Sequence, residues 1–92
     1  MRKVELFKTP TCVKCPITKC LLTKILSEKG LSYEDYVAEK DVTQDSEAMA
    51  ELLMLNALTT PVVRFGDVVL YEEDAVKEDK LRQALRAAGA PV

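Results

Sequence analysis

The sequence predicts a single α/β domain over residues 1–92, a mixed four-stranded sheet flanked by three helices in the order β-α-β-α-β-β-α. Three observations carry this. Short β-branched or aromatic runs recur along the chain, apart from one another and bounded by turn residues. An apolar stripe at helical spacing fills the stretch after the first run. Near residue 65, two such runs are separated only by Gly66-Asp67, the signal of a tight hairpin. A chain of 92 residues is ordinary for one domain. It buries about 60–65% of its unfolded surface, which allows one modest core and no large internal cavity.

Each element has its own signal. Val4 to Phe7 is short, partly alternating and bounded by Pro10, and reads as the first strand. Thr9-Pro10-Thr11 forms a loop. From Val13 to Lys29 the pattern is helical: Ile17, Leu21 and Ile25 recur at i, i+4, i+8, with Leu22 and Leu26 broadening the stripe. Pro16 falls in the first turn, where a missing N–H costs little. Gly30 stands at the stop position, with Lys29 in the last turn. Leu31 to Val37, with Tyr33 and Tyr36, reads as the second strand. Asp41 to Asp45 is a polar loop, and Ser46 is placed to cap a helix running to Leu55, with Asn56 as a left-handed stop. Val62 to Phe65 and Val68 to Tyr71 form the hairpin. Leu81, Ala84, Leu85 and Ala88 make the last amphipathic helix, stopped by Gly89. The first two strands flank a helix and should be parallel, through a right-handed crossover.

Composition excludes several classes. Apolar residues make up 48% and charged residues 30%, which suits a folded soluble domain. The longest uncharged stretch, Leu52 to Val63, is too short for a membrane span. No apolar leader or cleavage site is visible, so a cytoplasmic location is expected. The absence of histidine removes the triads built on it and the zinc sites that need it. A net charge of −2 argues against a general nucleic-acid binder. Charge is nevertheless uneven. Residues 1–30 carry seven basic and two acidic side chains, and residues 31–92 carry six and thirteen. A monomer without nucleic-acid or membrane partners is expected.

The chemistry lies in Cys12-Val13-Lys14-Cys15, where the first strand has ended and the first helix begins. Three cysteines between positions 12 and 20 are an odd number, which argues against a structural disulfide framework. A helix N-terminus offers unpaired N–H groups and a partial positive charge. Both favour a thiolate and lower a cysteine's pKa below its ordinary value. Lys14 and Lys8 are cations placed to lower it further. Cys12 stands at the exposed end and Cys15 about one turn inside, and the i, i+3 spacing lets their sulfurs meet. Cys12 is therefore the expected nucleophile on a substrate disulfide and Cys15 the resolving thiol. Thr59-Thr60-Pro61 opens the third strand, an odd place for proline unless the Thr60–Pro61 bond is cis and forms a turn beside the cysteines. The Thr60 backbone is then free to pair with an extended substrate. Cys20 lies about 140° round the helix from Cys15 and is expected as a small buried hydrophobe. No metal site is expected from these residues.

Lys8-Thr9-Pro10-Thr11-Cys12-Val13-Lys14-Cys15-Pro16, then Thr59-Thr60-Pro61 and the Gly66-Asp67 hairpin, resemble the glutaredoxin branch of the thioredoxin superfamily. The resemblance runs over essentially the whole chain. It implies a thioredoxin-like fold, thiol–disulfide exchange at Cys12 with resolution by Cys15, and a cis-proline at Pro61. It implies no bound cofactor, with glutathione as a co-substrate whose carboxylate Lys8 contacts. The chain departs from the family at Val13, where proline is common, and at Thr60, where valine is usual. It also departs at Leu70-Tyr71-Glu72-Glu73-Asp74, which replaces a Gly-Gly pair followed by Asp. Three clustered carboxylates repel an anionic tripeptide, so the disulfide chemistry carries over and dependence on glutathione does not. The expected function is a dithiol oxidoreductase reducing protein or glutathione mixed disulfides, re-reduced by a reductase or by glutathione. Two alternatives stand beside it: a thiolate module that binds glutathione, a metal or an iron–sulfur cluster, and an arsenate-reductase-like or regulatory relative of the same fold.

Overall fold

A computed structural model describes residues 4–57, 59–66 and 68–89. The elements are β1 (Val4–Lys8), α1 (Cys15–Ser27), α2 (Tyr33–Tyr36), β2 (Val37–Asp41), α3 (Ser46–Met54), β3 (Val62–Phe65), β4 (Val68–Leu70), a 3-10 turn at Asp74–Val76 and α4 (Glu78–Ala87). The sheet order is β2-β1-β3-β4. β1 runs parallel to β2, with Leu6 opposite Glu39, and antiparallel to β3, with Leu6 opposite Val63. β3 and β4 form the hairpin, Phe65 opposite Val68; Asp67 itself lies outside the described residues. Among the described residues no helix is long and apolar enough to cross a membrane.

Strand alternation sends successive side chains to opposite faces and so makes two apolar layers. Val4, Leu6, Val63 and Phe65 face α1 and α4, meeting Leu22, Ile25, Leu81 and Leu85. Phe7 and Val62 face the other way, meeting Ala48 and Leu52 of α3. Glu5 and Arg64 share that second face and bond each other. Lys40 joins Glu5 to Glu51 of α3, and both cations lie over the Phe7 ring at 5.8 Å. On the first face Arg82 reaches Glu28 and Lys24 reaches Glu78, tying α4 to α1.

The structure corrects the expected second strand. Tyr33 to Tyr36 is a helical turn, and the strand follows at Val37–Asp41. β2 is an edge strand in which only Val37 is buried, and Glu39 and Lys40 form ion pairs. It therefore lacks the apolar signal that marks a strand in sequence. Tyr33 and Tyr36 pack against the α1 layer from the turn instead.

The inward stripe of α1 is also shifted. Its buried residues are Cys15, Thr18, Leu22, Ile25 and Leu26; Leu21 is half-buried and Ile17 is 49% exposed. Thr18 takes the inward place because its Oγ1 donates to the carbonyl of Ala75 at 2.8 Å, so a buried hydroxyl is satisfied. The helix is shorter than its periodicity suggests, ending at Ser27. Gly30 at φ +69° then lets Leu31 N–H reach the carbonyl of Leu26 at 2.9 Å. Asp45, not Ser46, caps α3, accepting from the N–H groups of Glu47 and Ala48. Asn56 adopts φ 60°, the expected left-handed stop.

This register makes a measurable distinction. Leu22→Ala should cost about 2–5 kcal/mol in urea unfolding, whereas Ile17→Ala should stay within roughly 0.5 kcal/mol. Equal losses would contradict the observed face of α1.

Candidate active site

β1 ends at Lys8, and the loop after it returns on itself through a bond from Cys12 N–H to the carbonyl of Thr9. Cys12 and Cys15 are joined as a disulfide, their Cα atoms 5.5 Å apart. Cys15 is the first residue of α1, and its N–H points at Cys12 Sγ at 3.1 Å. Lys14 is the N-cap and offers no side-chain cap, and Pro16 brings no N–H. The sulfur of Cys12 therefore receives an amide of the first turn. Cys15 is only 6% exposed, while Cys12 is half-exposed. One thiol is open to a partner and the other is shielded beneath it.

Two cavities meet at Thr9, and the first of them is lined by Cys12 and Cys15. The first, about 360 Å³, brings Lys8, Cys12, Cys15, Lys19 and Glu39 together. Its two lysines share one carboxylate. Glu39 accepts from Lys8 at 2.7 Å and from the Tyr33 hydroxyl at 2.8 Å, with Lys19 at 3.3 Å. The bond from Lys8, with help from Tyr33 and Lys19, holds the Glu39 carboxyl at about 2. Burial and the Glu39 charge push the Tyr33 phenol up, and Glu39 pushes the Lys8 ammonium up.

The second cavity, about 400 Å³, is a groove that includes Thr60 and Glu72. The Thr60–Pro61 peptide is cis, and β3 starts directly after it. Lys14 lines neither cavity; its Nζ lies 3.3 Å from Glu72. Pro61 is buried and lines neither. Of the residues singled out in the sequence, the structure gathers Lys8, Cys12 and Cys15 in one cavity and sets Thr60 in the other. Cys20 is a correction: it is a free, exposed thiol. Two positions past the inward Thr18 is about 200° round the helix, which turns it outward. Among the described residues no three acidic or cysteine side chains converge as a metal site.

Glu39, Lys19 and Tyr33 escaped sequence reasoning as site residues, whereas Glu72 was among the carboxylates that it set against an anionic tripeptide. Glu39 reaches Lys8 because Leu6 and Glu39 are register partners, so Lys8, two residues on, lies on the same face. The one available signal was a carboxylate in a chain segment that follows two tyrosines.

The low pKa of Glu39 has a consequence for acid stability. The unfolded chain protonates this group near 4.5 and the folded chain only near 2. Its stabilising contribution is full above about pH 4.5 and disappears as pH falls toward about 2. In urea titrations, Glu39→Gln should therefore lose stability less steeply than wild type over that window. Parallel slopes would show that the Glu39 cluster does not form.

Known proteins share this fold and this sequence pattern. The sequence profile of the family described as Glutaredoxin matches residues 4–70, from β1 through β4. No curated protein matches the chain. Among solved structures, the thioredoxin-like protein BC3987 is similar at 27% identity and a TM-score of 0.66, covering 90% of this chain and 100% of that one. A threonine-to-alanine mutant of the same protein is similar at 27% and 0.66, covering 90% of this chain and 99% of that one. The profile match spans both the cysteine pair and the Thr60–Pro61 turn, and the chain belongs to the glutaredoxin family, with a thioredoxin-like fold.

Proposed function

We propose that the protein is a dithiol oxidoreductase that reduces protein disulfides in the cytoplasm and passes electrons to a partner enzyme. The observation that carries this reading is the asymmetry of the cysteine pair: an open Cys12 sulfur facing a helix amide, over a shielded Cys15. Membership of a thiol-redox family supports it.

In the reduced protein the Cys12 thiolate is favoured by the Cys15 N–H and the N-terminal end of α1. It attacks one sulfur of the substrate disulfide. A Cys12–substrate disulfide forms, and the other substrate sulfur leaves as a thiolate. Cys15, as thiolate, then attacks Cys12 Sγ, the mixed disulfide breaks, and the second substrate thiolate departs. Two electrons have moved to the substrate, and the protein is left with the Cys12–Cys15 disulfide. A reductase or a pair of glutathione thiols restores the dithiol. No metal or bound cofactor enters any step. The Thr60 backbone would pair with the extended substrate chain. Lys8 and Lys14 add positive potential near the cysteines, which Glu39 and Glu72 reduce.

The test is dithiothreitol-driven reduction of a protein disulfide. Cys12→Ser should bring turnover to background. Cys15→Ser should stop at the mixed disulfide, seen as a mass adduct on Cys12. Turnover that survives Cys12→Ser would falsify the mechanism.

A further inference from the structure

The groove that meets the cysteine cavity at Thr9 offers one carboxylate and an apolar wall, a surface suited to a polypeptide. Met49, Leu52, Leu53 and Ala57 make its wall. Met49 and Leu53 are 37% and 55% exposed, large apolar side chains left facing water. Tyr71, itself exposed, is anchored at the end of α3 through its hydroxyl on the carbonyl of Leu55 at 2.8 Å. Thr9 connects the groove to the cysteine cavity, and Thr60 lines it at the cis peptide.

Among the described residues lining the groove, Glu72 carries the one charge. The two cations that the sequence set beside the cysteines do not line it. Lys8 is bonded to Glu39 in the other cavity, and Lys14 approaches Glu72 from outside the lining. The Lys14–Glu72 pair is a part-exposed one of the kind that exchanges at little cost. A ligand in the groove therefore meets a carboxylate, three threonines and apolar side chains.

We infer that this groove receives an extended segment of a partner protein, apolar beside its disulfide cysteine and bearing a Lys or Arg that meets Glu72. Glu72 is then the residue that selects against glutathione disulfides. This inference rests on the oxidoreductase reading above and adds its substrate class. Glutathione carries two carboxylates and one ammonium, so it brings net negative charge to Glu72 and offers nothing to Met49 and Leu53. Rejection by like charge is as much a source of specificity as new attraction.

The experiment uses the full, reduced chain and two mixed disulfides sharing the leaving group 5-thio-2-nitrobenzoate. One carries a short peptide whose cysteine is flanked by leucines and followed by lysine; the other carries glutathione. Release of the chromophore gives kcat/KM for each, corrected by the same ratio measured with free dithiothreitol. Using the ratio cancels any change in the reactivity of Cys12. Wild type should favour the peptide by about tenfold or more, a discrimination of roughly 1.4 kcal/mol. Glu72→Lys should narrow that preference about tenfold, and Leu53→Ser, which adds no charge, should narrow it through the apolar wall. A wild-type preference for glutathione, or a ratio unmoved by both substitutions, overturns the groove assignment while leaving the oxidoreductase reading intact. Absence of Cys12-dependent release from either probe overturns both.

Discussion

Because β1 and β2 run parallel, the chain between them must cross a face of the sheet, and α1 makes that crossing with Leu22, Ile25 and Leu26 buried beneath it. This single requirement places the N-terminus of α1 at the end of β1. Cys15 then sits in the first helical turn, covered by the same layer, while Cys12 stays in the loop outside. The difference between the two sulfurs is a consequence of where a buried helix begins. The parallel register also brings Glu39 to the face that Lys8 occupies, one cavity wall away from Cys15.

Electrostatics around the cysteines is arranged by pairing rather than by excess. The first third of the chain is rich in lysine, yet Lys8 and Lys19 share Glu39, Lys14 meets Glu72 and Lys24 meets Glu78. Each such pair is part-exposed and contributes little stability alone. Together they reduce, without cancelling, the positive field that the composition suggests, because Lys8 and Lys19 share one carboxylate. The directed N–H of Cys15 acts on Cys12 beside this reduced field, and salt screens it far less than it screens a distant ammonium.

The segment after the hairpin distinguishes this chain within its family. Where a Gly-Gly pair would leave backbone open to a close ligand, Leu70 is buried and Tyr71 ties the segment to the end of α3. That anchor sets Glu72 at the edge of the groove that holds Thr60.

Much of this was present in the order of residues. The cysteine pair at a strand–helix junction, the proline at the start of β3, the Gly66 turn and the stops at Gly30 and Asn56 are local signals, each set by backbone geometry within a few residues. The mixed four-stranded sheet with its parallel first pair was expected, while the order of its strands and the layer shared by α1 and α4 came from the structure. Other features depended on partners distant in sequence. β2 is an edge strand whose polar side chains are satisfied by ion pairs, so its pattern is not apolar, and the tyrosines before it drew the expectation to the wrong span. Thr18 faces inward only because Ala75 offers a carbonyl 57 residues away, and that choice of register turns Cys20 and Ile17 to water. Glu39 and Glu72 became site residues through register and through the Tyr71 anchor. Local sequence determined the nucleophile, its resolving partner and the turns that hold them. Tertiary structure decided which charges surround them, because a charge acts through distance in space and not along the chain.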